Sequence, residues 1–223
     1  MNFPFRDRRH AGRVLAGKLE QYRGREGLLV LALPRGGVAV GFEVVRELRA
    51  PLDIFVVRKL GVPGHEEYAM GAIASGGAKV MNPMPGPTVR PEAIAAVVER
   101  EQAELVRREQ FYRKQRSAVP LQGRPVIVVD DGLATGSTMQ AAVLAIRQQH
   151  PLHVTVAVPV GARDTCAALR QQADEVICAE MPEPFRAVGL CYQEFPQATD
   201  DEVCTLLEEA RREHAIAVRL SGD

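Results

Sequence analysis

Asp130 and Asp131 place two carboxylates side by side, and the residues around them limit what that pair can do. They end an apolar, mostly β-branched run, Val126 to Val129, and are followed by the small-residue stretch Gly132, Leu133, Ala134, Thr135, Gly136, Ser137 and Thr138. The apolar run reads as a strand covered on both faces, as inside a parallel sheet. Met139 to Gln149 reads as a helix stopped by Pro151. A strand, a short polar loop and a helix start make an anion site, because the loop and first-turn N–H groups lack partners and the helix dipole favours negative charge. The glycine spacing does not fit the P-loop, no lysine follows Gly136, and Gly-x-Gly-x-x-Gly is absent. A plain turn capped by Thr135 would not call for adjacent carboxylates beside a phosphate-sized nest. A second strand, Leu28 to Leu33, runs into Pro34-Arg35-Gly36-Gly37 and then a helix to about Leu48. This is also phosphate geometry, with an arginine to donate and two glycines that admit a ligand close to the backbone.

The order of apolar strand, Asp-Asp, x-x, then Ala-Thr-Gly-Ser-Thr resembles the 5-phosphoribosyl-1-diphosphate (PRPP) loop of the type I phosphoribosyltransferases. The resemblance implies that Asp130 and Asp131 hold the ribose hydroxyls while Ala134, Thr135, Gly136, Ser137 and Thr138 cradle the 5-phosphate. It assigns Arg35, Gly36 and Gly37 to the diphosphate, with a cis peptide between Pro34 and Arg35. Arg58 and Lys59, ending a third strand from Leu52 to Val57, would sit where diphosphate leaves, with Lys59 joining the acidic pair in catalysis. Mg²⁺ is implied as the cofactor, met by Asp130 or Asp131 mainly through water, as suits a hard ion that dehydrates reluctantly.

The activity implied is transfer of phosphoribosyl from PRPP to a nitrogenous base or related acceptor, with release of diphosphate. Hypoxanthine and guanine transferases carry an Asp where this chain has Ala134, so a 6-oxopurine acceptor is disfavoured. A regulator that senses PRPP or a nucleotide through the same loops is the alternative. A phosphohydrolase would need Asp-x-Asp, which Asp130-Asp131-Gly132 does not supply.

The 223 residues suit one domain, with a core over about 28–179. Basic and acidic residues balance at 28 each, so no global charge draws the chain to nucleic acid or to a membrane surface. No apolar run approaches the roughly 20 residues a bilayer requires, and the first residues lack a signal-peptide core, so a cytoplasmic location is expected. Cys166, Cys178, Cys191 and Cys204 form no Cys-x-x-Cys pair and read as ordinary thiols. The partners expected are PRPP, a small-molecule acceptor and further copies of the chain in a homo-oligomer.

The elements that must position these residues alternate between strand and helix, which predicts an α/β fold: a parallel sheet flanked by helices on both faces, with ligands at the carboxyl ends of the strands. Arg8 to Tyr22 is an amphipathic opening helix with a packing role and no chemistry. From about 58 to 82 the pattern loosens around several glycines, and only Ala72-Ile73-Ala74 suggests a strand. The resemblance makes this a flexible loop that closes over the substrates. Asn82 to Pro91 is proline-rich and reads as an irregular connection, and Pro91 opens a long charged helix. From about 180 to 200 the alternation stops. The resemblance makes this the hood over the acceptor, with Phe185, Tyr192 and Phe195 stacking or lining it; closure of a small satellite core is the other reading of these aromatics. A last amphipathic helix starts at Asp200.

Overall fold

The computed structural model describes residues 4–81, 90–114 and 116–221. In chain order the elements are α1 (Arg8–Gly17), β1 (Leu29–Ala32), α2 (Gly36–Leu48), β2 (Leu52–Ile54), β3 (Val57–Val62), β4 (His65–Ala74), β5 (Ala78–Met81), α3 (Pro91–Arg113), β6 (Pro125–Val129), α4 (Ser137–Arg147), β7 (His153–Val160), α5 (Arg163–Leu169), β8 (Glu175–Glu180) and α6 (Asp200–Ser221). Five strands form one parallel sheet in the order β2-β1-β6-β7-β8.

Side chains alternate across a strand, so a strand buried on both faces must be apolar throughout. In β6, Ile127 and Val129 enter the core under α2 and α6, while Val126 and Val128 face the opposite core under α4 and α5. Leu29 and Leu31 of β1 join the second core, and Val30 and Ala32 the first. Helix α2 is buried over most of its surface because it is wedged between the sheet, α1 and α6, which explains why its sequence is apolar nearly all round.

From β1 the sheet grows one way to β2 and the other way to β6, so the connections diverge between β1 and β6. Such a divergence leaves a crevice at the carboxyl ends of the two strands. The segments after them, 34–37 and 130–136, are the two loops singled out by sequence.

Residues 57–81 differ from the loosely patterned loop expected there. They form a second sheet, antiparallel in the order β3-β4-β5 and packed on α4 and α3. Its first hairpin turns at Pro63-Gly64, where Gly64 takes φ +79, a left-handed conformation that L side chains disfavour. The connection expected from Asn82 to Pro91 falls largely at 82–89, outside the described residues, and Pro91 opens α3 as expected. Among the described residues, no helix is long and apolar enough to cross a membrane.

The stretch 181–199 has no strand of the main sheet and contains a 3-10 turn at Val188–Cys191. The chain's first described residues are built into it. Phe5 donates its N–H to the Cys191 carbonyl (2.9 Å), its own carbonyl accepts from Gln193 (2.8 Å), and the Arg6 carbonyl accepts from Glu194 (2.9 Å). Phe5, Ala11, Val160, Cys191 and Tyr192 form a third, small core, with Phe185 and Phe195 packed against it.

Candidate active site

At the end of β6, Asp130 accepts the N–H of Asp131 on its own carboxylate (2.8 Å), which fixes the turn that carries the acidic pair. Desolvation, followed by the like charge of Asp131, pushes the Asp130 carboxyl well above its ordinary value of 3.8. An acidic pair that resists its own ionisation is suited to a cation or a set of hydroxyl donors.

Beyond the pair, the chain rises to Gly136, which starts α4 with φ +72 and no side-chain cap. Thr135 therefore does not cap the helix; its hydroxyl lies 3.3 Å from that of Ser137. Helix α2 also starts without a side-chain cap, at Arg35. Two helix N-termini with no side-chain cap thus follow the carboxyl ends of the neighbouring strands β1 and β6, where backbone N–H groups and helix dipoles favour an anion. Asp130, Gly132 to Met139 and Val188 line a cleft of 170 Å³ there. The Thr165 hydroxyl fastens the floor by donating to the Ala134 carbonyl (2.6 Å).

The Pro34–Arg35 peptide is cis, as expected. Gly36 and Gly37 serve a closer neighbour than a ligand. A Cβ on Gly36 would lie 1.9 Å from Asp131 Oδ2, and one on Gly37 would lie 2.7 Å from the Val129 carbonyl oxygen and 2.9 Å from Asp130 Cα. The missing side chains let the two loops interlock, bringing the acidic pair against the start of α2. The Arg35 side chain is half-exposed and lies 3.9 Å from Asp200, which also accepts from the Tyr112 hydroxyl (2.6 Å).

Arg58, expected where diphosphate leaves, is engaged by α3. Because α3 packs across β3, Glu101 reaches the Arg58 guanidinium (Nε to Oε2, 2.9 Å) and engages its charge. Burial alone would raise the Glu101 carboxyl; its bonds to Arg58 and Arg100 hold it below the ordinary range. Lys59 lines a 140 Å³ cavity between the small sheet and α4, together with Ser137, Thr138 and Gln140. That places it beside the phosphate-type loop after β6.

The three aromatics of the 180–200 stretch belong to the satellite core. Tyr192 is buried and donates its hydroxyl to the Asp131 carbonyl (2.5 Å), so it supports the acidic loop from below. Burial first, and then the Asp131 charge, push its phenol well above the ordinary value. The Phe195 ring is covered by the Arg8 guanidinium (3.8 Å to the centroid) and by the Tyr192 ring (4.8 Å). Phe185 packs against the same core.

Two residues at the site were not expected. Val188 reaches over Gly132, where an added Cβ would meet it at 2.6 Å. Arg8, on the helix expected only to pack, donates from Nε to Asp131 Oδ2 (2.8 Å). Nothing local to Arg8 signals this, since its partner is 123 positions away.

A phosphoribosyl transferase domain model matches residues 8–194. The chain belongs to the phosphoribosyl transferase family. It is 46% identical over 215 residues to the Mycobacterium tuberculosis H37Rv protein named "Putative phosphoribosyl transferase Rv0571c", covering 96% of this chain and 48% of that one. A protein of M. tuberculosis CDC 1551, "Putative phosphoribosyl transferase MT0597", matches to the same extent. The chain thus spans about half the length of the curated relatives it matches. The crystal structure of TT1426 from Thermus thermophilus superimposes with a TM-score of 0.81 at 41% identity, covering 92% of this chain and 98% of that one. The segment from β6 to α4, here the donor loop, is the one that resembles the PRPP loop of this family, and the segment from β1 to α2, its partner loop, lies against it.

Proposed function

We propose that the chain transfers the 5-phosphoribosyl group of PRPP to a nitrogenous base or related acceptor and releases diphosphate. The observation that carries this reading is the convergence of the adjacent carboxylates with two helix N-termini lacking side-chain caps at the β1/β6 crevice. PRPP presents the matching chemistry: two ring hydroxyls, a 5-phosphate and a diphosphate on one small sugar. Asp130 and Asp131 accept from the hydroxyls. The backbone from Ala134 to Thr138 holds the 5-phosphate, with Lys59 on its far side. Arg35 and the start of α2 take the diphosphate. Displacement at the anomeric carbon passes through an oxocarbenium-like state, so the chain's work is to fix the ribose, neutralise the leaving group and keep water out.

Mg²⁺ is the cofactor of this reading. The donor set fits a shared ion, because two mutually repelling carboxylates gain from a cation. Among the described residues no group of three or more acidic, histidine or cysteine side chains could hold a metal by itself. The remaining ligands would be substrate oxygens and water, as Mg²⁺ prefers. Bound there, the ion supplies charge neutralisation to the diphosphate. Ala134 leaves no carboxylate at the loop position beside the acceptor, which favours bases other than 6-oxopurines.

The test is a panel of nitrogenous bases incubated with PRPP and Mg²⁺, with diphosphate release measured. Release that needs a base, PRPP and Mg²⁺ together supports the transferase. PRPP binding without release from any base would favour the regulatory alternative.

A further inference from the structure

The residue that ties the donor loop to the 180–200 stretch is Arg8. Its guanidinium makes three contacts with two separate segments. Nε donates to Asp131 Oδ2 at 2.8 Å, one terminal nitrogen donates to the Pro196 carbonyl at 2.6 Å, and the plane lies 3.8 Å over the centre of the Phe195 ring. The pair is not a surface ion pair. Only 12% of the Arg8 side chain and 17% of the Asp131 side chain are exposed, so the charges have left most of their water and depend on each other.

The surroundings are shaped for this pair. A Cβ on Gly36 would strike Asp131 Oδ2 at 1.9 Å and approach Arg8 Nε at 3.2 Å, so the glycine of the partner loop makes room for it. Tyr192 secures the main chain of the same aspartate through its carbonyl. Arg8 is secured in turn: Asp7 caps α1 by accepting from the His10 N–H (2.7 Å), and the residues just before it pair with Cys191, Gln193 and Glu194. One carboxylate oxygen of Asp131 is therefore committed to the protein, which fixes the direction of the other.

We propose that Arg8 is the positioning residue of the ribose site, orienting Asp131 for the donor's hydroxyls and tying that orientation to the 180–200 stretch through Phe195 and Pro196. The inference rests on the proposed function, because it assumes that Asp131 accepts from PRPP. A planar fork suits it: arginine can bond the carboxylate and a carbonyl while its face stays on an aromatic ring. Lysine offers a point charge that cannot satisfy both partners in one plane.

The experiment measures PRPP affinity by calorimetry with Mg²⁺ and no acceptor, for wild type, Arg8→Gln, Arg8→Lys, Asp131→Asn and Arg8→Gln/Asp131→Asn. Arg8→Gln should weaken PRPP at least about tenfold and Arg8→Lys less, a partial rescue. In the Asp131→Asn background, Arg8→Gln should change affinity less than about twofold, because its effect runs through Asp131. In steady state the loss should appear in KM for PRPP and in kcat, with KM for the acceptor unmoved. Additive effects in the double variant, or a change confined to the acceptor KM, would overturn the inference. If Arg8→Gln fails to fold, Arg8→Lys decides: affinity within twofold of wild type overturns it. Wild-type protein that binds no PRPP defeats the proposed function itself, whereas wild-type binding with indifferent Arg8 variants defeats this inference alone.

Discussion

The acidic pair carries opposing demands at the level of single residues. Asp130 is held beside a like charge, and its carboxyl ionises only well above the ordinary 3.8. The native state therefore binds a proton more tightly than the unfolded chain does. Stability falls as pH rises from the unfolded value through the raised native value, and the deficit stays in place above it. Asp130→Asn keeps an oxygen to accept the Asp131 N–H and removes the charge. In the presence of a chelator it should melt above wild type at pH 7, with the gap closing as pH falls toward 4; a scanning-calorimetry series that finds the variant less stable at pH 7 would contradict this. Function should move the other way, as at other sites that trade stability for activity. Asp130→Ala and Asp131→Ala each remove a charge-assisted hydrogen bond worth about 1.5 to 3 kcal/mol, or about 10- to 150-fold in PRPP affinity. Unchanged titration calorimetry in both would remove the pair from the ribose site. Gly36→Ala should weaken PRPP binding and lower the melting temperature together, because its methyl group would displace the Asp131 carboxylate from its place against Arg8.

The elements that hold these residues rest on less obvious chemistry. Arg113, the last residue of α3, is buried against Asp53 of β2 (3.1 Å), donates to the Ile54 carbonyl (2.8 Å) and pairs with Glu109 (2.6 Å). Asp53 also accepts from the Val119 N–H (3.2 Å). Arg113→Ala leaves a buried carboxylate without its cation and should cost about 3 to 5 kcal/mol in urea unfolding; a loss below about 1 kcal/mol would show that Asp53 recruits another partner. The long helix was legible from Pro91 and its length, but its role was not, because Glu101 and Arg113 look like ordinary members of a charged face until β2 and β3 are laid against them. The small sheet was hidden for a related reason. Its strands are partly exposed and carry glycine at 61 and 71, so neither strict alternation nor a continuous apolar run marks them, and only Pro63-Gly64 signals the hairpin. The central strands were legible because burial on both faces leaves no alternative to a run of valines and leucines. If the small sheet acts as a lid, limited proteolysis should cut first within 61–82 in the empty protein, and Mg²⁺ with PRPP and acceptor should protect it. Equal protection without ligand would count against closure there.

Across the whole molecule, the donor loop, its partner loop and the 180–200 stretch meet although they are drawn from the first, middle and last parts of the chain. Sequence order located the first two, since each is local to its own strand and helix. The third contact could not be read, because the pairing of Phe5 with the backbone on either side of Tyr192 and the reach of Arg8 to Asp131 and Pro196 depend on how the sheet brings distant parts of the chain together. This arrangement orders events on the ribosome. When the Asp130–Asp131 turn leaves the exit tunnel, β1 and α2 can already pair with β6, yet the segment that receives Phe5 and the ring that receives Arg8 have not been made. The nascent chain can thus pair its central strands while the residues around Phe5 wait for positions 191–196 to leave the tunnel, and the Arg8–Asp131 pair gains its Phe195 cover only then.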